Sequence, residues 1–184
     1  MFTPLASVVG VALTFLLCVG AVVPVSSVVD AQSVVPPGSV EGAIIAAEIK
    51  DGELIAAIVR AVRGARHRLE QHGCADILNK FCDTQGRPLA EVLMSRRLEP
   101  TGLLTRVIFR DGRDNAICRT SPAAAFTGPR SRVVFVCGQR FLRLSRERAE
   151  LVVIHELLHT LGLGERPPTT GEIDRLVAHH CGRR

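Results

Sequence analysis

The 184-residue chain contains no tryptophan and no tyrosine, and its seven phenylalanines are its only aromatic side chains of that class. Stacking platforms for nucleic-acid bases need such rings, so no nucleic-acid partner is expected. The absence of tyrosine also removes one common donor to a reaction oxyanion, leaving backbone groups, a His or an Arg for that task. Lysine is nearly missing, with Lys50 and Lys80 the only two, so the formal charge of +5 rests on arginine. Arg60, Arg63 and Arg66 recur along one predicted helix opposite its apolar stripe, which reads as a solvated face. Methionine occurs only at Met1 and Met94, and no Cys-x-x-Cys pair is present to suggest a thiolate zinc site.

Charge is absent altogether from Met1 to Val29. This apolar stretch reads as a secretory signal over residues 1–31, with Val29-Asp30-Ala31 as a cleavage site, or as an uncleaved membrane anchor. Residues 32–39 read as a Pro-containing linker, and residues 40–184 as one domain, long enough to bury a core. Export implies a secreted, periplasmic or cell-envelope location, with a membrane partner only if the leader is retained. In that setting most of the five remaining cysteines, Cys74, Cys82, Cys118, Cys137 and Cys181, should pair and one should be left over. Local spacing favours Cys74 with Cys82 and Cys118 with Cys137.

The patterning predicts two amphipathic helices near 40–50 and 53–72, a short helical piece over 75–81, and a helix over 89–97. Residues 105–110 and 132–137 have the β-branched and aromatic content of strands. Asp111-Gly112 suggests a hairpin into 116–119, and 121–129 reads as a loop. The order suits an α+β domain with a small sheet beside a later helix.

That later helix carries the chemistry. His155-Glu156-Leu157-Leu158-His159 places two imidazoles four residues apart, on one helical face, where both can reach one metal ion. Glu156 lies one residue past the first ligand, from where its carboxylate can act as general base on an adjacent water. The flanks Leu151 to Ile154 and Leu157, Leu158 and Leu161 are apolar, so the helix should be buried, and buried His and Glu need a compensating partner. Ser145 is the expected N-cap, and Gly162 stands where a left-handed C-terminal residue belongs. Three protein ligands with an open fourth position would make the site catalytic.

The run from His155 to Glu165 resembles the active-site segment of metzincin peptidases, and Leu161-Gly162-Leu163-Gly164 is similar to the matrixin branch. The resemblance covers about twenty residues. It implies a compact zincin-like domain, a bound zinc ion, and a third ligand three residues beyond the glycine, here Glu165 where the family usually has His. No methionine follows the motif, so the family's Met-turn has no counterpart. In gluzincins a second helix supplies a Glu, which makes Glu172 the rival ligand. Thr169-Thr170-Gly171-Glu172 also fits a capping box, however, in which Glu172 bonds back to the helix start. His179 and His180, near that helix's C-terminus, are further rivals. The resemblance implies a secreted zinc metallopeptidase with a protein or peptide substrate, His155, His159 and Glu165 as ligands, and Glu156 as base. The alternative is a catalytically degenerate, zinc-stabilised binding or cell-envelope protein.

Overall fold

In the computed structural model, the residues described are 39–40, 43–46 and 48–182; the leader and nearly all of the linker lie outside them. The chain is mixed α and β, with a five-stranded sheet and eight α-helices among the described residues. Two short strands open the domain, β1 (Ser39–Val40) and β2 (Ala43–Ile45), where an amphipathic helix was expected. The sequence there has apolar residues at both helical and strand spacings, and parallel pairing of Ile44 with Ile108 and Ile45 with Phe109 selects the strand.

Helix α1 (Gly52–Leu69) starts at Asp51, whose carboxylate accepts from the backbone N–H of Glu53 and Leu54. It buries Leu54, Ile58, Ala61, Val62, Ala65 and Leu69 along one face. Its solvent side carries Arg60, Arg63 and Arg66, as the pattern predicts, all three exposed. Short pieces follow: α2 (His72–Ala75), a 3₁₀ turn at Asp76–Asn79, α3 (Leu89–Ser95) and α4 (Pro100–Leu104), the last with proline in its first turn.

Strand β3 (Ile108–Asp111) does not turn into a hairpin. Residues Ala116–Thr120 form helix α5, capped by the Asn115 side chain on the Ile117 N–H. Two strands complete the sheet: β4 (Ala125–Phe126), inside the expected loop, and β5 (Val133–Val136). The strand order is β1-β2-β3-β5-β4, with β3 parallel to β2 and β5, and β4 antiparallel to β5. Phe126 and Phe135 face each other across the last pair, their rings stacked at 5.1 Å. Strand β4 is therefore a sheet edge.

After α6 (Gly138–Leu142) comes α7 (Arg146–Leu161), the central helix, in which every residue from Val153 onward is buried. Ser145 caps it by accepting from the Arg148 N–H, and Gly162 ends it at φ 117°, a left-handed conformation that glycine adopts without strain. α7 lies against α1 at Gly64, where a Cβ would come within 2.2 Å of the Glu150 carboxylate. That close approach lets Arg68 reach Glu150 at 2.7 Å in the buried interface, while Arg146 meets the same carboxylate at 3.0 Å. A cis Pro167–Pro168 bond precedes α8 (Thr170–Cys181), the last helix.

Two disulfides are formed, Cys118–Cys137 as spacing suggested and Cys74–Cys181, across 107 residues, in place of Cys74–Cys82. Cys74 is buried facing the end of α8, whereas Cys82 lies beyond the 3₁₀ turn with an exposed, free thiol. No helix among the described residues is long and apolar enough to cross a membrane.

Candidate metal centre

Helix α7 presents Val152, His155, Glu156 and His159 to a cleft of about 670 Å³. Further lining comes from Ile117 of α5, Phe126 of β4 and Thr127 just after it, and from Thr170 and Asp174 of α8. His155, Glu156 and His159 are all buried, as helical spacing within an apolar segment dictates.

The two imidazoles are held from behind. His155 Nδ1 lies 2.9 Å from Asp174 Oδ1, and His159 Nδ1 lies 2.8 Å from the carbonyl oxygen of Leu163. The hydrogen bond from His155 holds the Asp174 carboxyl below its ordinary range, so it is a carboxylate. A carboxylate and a carbonyl only accept, so both rings must donate from Nδ1. Each neutral ring then presents a lone pair at Nε2, and the two Nε2 atoms face each other at 3.1 Å. Glu165 Oε1 joins them, 3.2 Å from His159 Nε2 and 3.8 Å from His155 Nε2.

Three electron-pair donors thus converge with no hydrogen bond available among them in the neutral state. A proton on one nitrogen relieves one contact; a cation between the three relieves all of them. Tetrahedral ligands at roughly 2.0–2.2 Å from a metal stand about 3.3–3.6 Å apart, close to the separations here. The donor set of two imidazoles and a carboxylate can therefore hold a divalent ion.

Glu156 points into the same space, and its Oε2 is buried without a hydrogen-bond partner. Burial pushes its carboxyl up to about 7, aided by the Glu165 charge, while His155 and the Thr127 backbone N–H pull the other way. Burial also disfavours charge on both imidazoles. At His159 burial prevails and the pKa is lowered; at His155 the Asp174 hydrogen bond and the Glu156, Asp174 and Glu165 charges outweigh it and the pKa is raised.

The rival residues lie elsewhere. Glu172 sits in the capping box, its Oε2 accepting from the Thr169 N–H at 2.8 Å and the Thr169 hydroxyl at 2.9 Å. It lines a different groove together with His179, and the His180 ring nitrogen faces the Gly73 carbonyl. Two residues that sequence reasoning missed do reach the centre. Asp174 backs His155, and the Thr170 hydroxyl donates to Glu165 Oε2 at 2.9 Å. Their four-residue spacing on a predicted helix was visible, but nothing in it named the partners.

No protein-family model, curated protein or solved structure matches the chain. The site is read from its own geometry.

Proposed function

We propose that the protein is a secreted zinc-dependent peptidase of zincin-like construction. The convergence of two Nε2 lone pairs and the Glu165 carboxylate beside the unpartnered Glu156 oxygen carries this reading. His155, His159 and Glu165 would hold the metal. A zinc ion there would acidify water and polarise a carbonyl.

The chain's own groups do the rest. Glu156, with a carboxyl near neutrality, takes a proton from water at Oε2 and returns it to the leaving amine. Among the described residues strand β4 is a sheet edge, lining the same cleft as Glu156, where an extended peptide could add as a further strand with its amide near that carboxylate. Two disulfides suit an oxidising compartment, and thus export.

The test compares purified protein with its Glu156→Gln variant on a broad peptide library, with zinc content measured in both. One zinc per chain in each, with cleavage reduced by roughly 10²–10⁴-fold in the variant, is expected. Equal inertness of two zinc-loaded proteins would remove the enzyme reading and leave a zinc-stabilised binding protein. Failure to take up zinc would remove both.

A further inference from the structure

We propose that α8 orients two of the three metal ligands while supplying none, with Asp174 and Thr170 as positioning residues. The inference rests on the metal-site reading above. Thr170 and Asp174 are four residues apart and so lie on one face of α8, the face that closes the cleft. Each engages a different ligand residue, and each does so at an atom other than those that converge, His155 Nδ1 and Glu165 Oε2.

Asp174 uses both oxygens. Oδ1 accepts a hydrogen bond from His155 Nδ1 at 2.9 Å, fixing the tautomer that leaves Nε2 as a lone pair, and Oδ2 accepts from Arg148 Nη2 at 3.2 Å. Arg148 precedes His155 by seven residues, two turns along the same face of α7. The carboxylate is thereby engaged through both oxygens by the helix whose histidine it aligns, which restrains its plane.

Glu165 poses the opposite difficulty. It sits on a turn with 46% of its side chain exposed, where a long, flexible carboxylate samples many rotamers. The Thr170 hydroxyl holds Oε2, which leaves Oε1 facing the two imidazoles. His159, by contrast, is aligned by the Leu163 carbonyl of its own turn and needs nothing from α8.

α8 is itself well anchored. The Thr169–Glu172 capping box fixes its start, Ile173 and Val177 are buried beneath it, and Cys181 ties its end to Cys74. Such backing partners set ring orientation and ligand basicity, and their loss typically weakens metal binding 10–100-fold.

Zinc dissociation constants by chelator competition test the inference on the purified protein. Asp174→Ala should weaken binding by roughly 10–100-fold, and Asp174→Asn by less, since its amide oxygen still accepts from Nδ1 and keeps the shape should the alanine variant unfold. Thr170→Val should weaken binding by about 10-fold in the native background and change nothing further once Glu165 is Ala, because the hydroxyl acts through that carboxylate. In the same Glu165→Ala background, Asp174→Ala should keep its effect. Wild-type affinity in Asp174→Ala, or an undiminished Thr170 effect without Glu165, overturns the role of α8 and leaves the metal site standing. A wild type that binds no zinc overturns the site reading itself.

Discussion

Replacing Glu156 by Gln removes an ionisable group from a buried position while keeping its shape, and its effect on stability should depend on pH. The Glu156 carboxyl titrates near 7 in the folded metal-free protein and near 4.5 when exposed, because burial disfavours its charge. A raised carboxyl contributes stability that is intact below pH 4.5 and is lost as pH rises through about 7. That displacement corresponds to roughly 3 kcal/mol. The wild type should therefore lose about 3 kcal/mol relative to the Gln variant between pH 4.5 and pH 7.5, then run parallel to it. Gln also brings an amide N–H to the place where Oε2 has no partner, a cost of about 1–3 kcal/mol, but one independent of pH. Only the pH slope reports the charge. His159 and Asp174 are shared by both proteins and largely cancel in the comparison, whereas His155 attracts the Glu156 charge, so the slope reports Glu156 together with that attraction. Urea unfolding of the two proteins in EDTA, with disulfides intact, measures the difference. With a slope of about 2 kcal/mol per molar urea, the midpoints should diverge by about 1.5 M across that range. Saturating zinc should shrink the divergence, since a cation beside Glu156 stabilises its charged form. A difference between variants that stays flat from pH 4.5 to 7.5 in EDTA would refute the buried-carboxylate argument.

Glu165→Ala should strongly weaken zinc binding, to a level that the two histidines still make measurable, whereas Glu172→Ala should leave it near wild type and instead lower thermal stability by about 1 kcal/mol through the broken capping box, as chelator competition and melting would show. Gly64→Ala should destabilise by about 3 kcal/mol in denaturant titrations, because the new Cβ displaces Glu150 from Arg68; a stabilised variant would mean that helix propensity, worth up to about 1 kcal/mol in favour of Ala, outweighs the contact. At Asp83 burial raises the carboxyl, but hydrogen bonds from Arg87 and from the Gln85 N–H outweigh it and hold it at about 2. Its stabilisation is present above about pH 4 and is lost as pH falls through 2, so an Asp83→Asn variant should unfold more readily above pH 4 and converge with wild type near pH 2, followed by circular dichroism.

The parts of the centre that were legible are those governed by rules local to one helix. His155, Glu156 and His159 share a face because of helical periodicity, and Ser145 and Gly162 bound their helix by capping chemistry that depends on a few adjacent residues. Glu165 comes only from the resemblance, with Glu172 open beside it, because a residue beyond the helix end is placed by the turn and not by helical periodicity. Asp174 and Thr170 were not legible as partners, because their contacts depend on how α8 docks on α7. The same reason hides Cys74–Cys181, whose ends meet only after the whole domain has folded. The stretch near 40–50 reads as helix because its apolar spacing fits both periods, and the choice of strand over 43–45 belongs to the neighbouring strand β3. The Asp111-Gly112 pair predicts a strand over 116–119, yet the Asn115 cap begins a helix there.

The Cys74–Cys181 bond spans every residue of the proposed centre, from the cleft wall at Ile117 to Asp174. A single backbone cut anywhere between those cysteines would leave the fragments covalently joined. This closed loop turns an internal nick from a loss of half the molecule into a local wound. Nicked protein should then run as one band without reductant and as two with it.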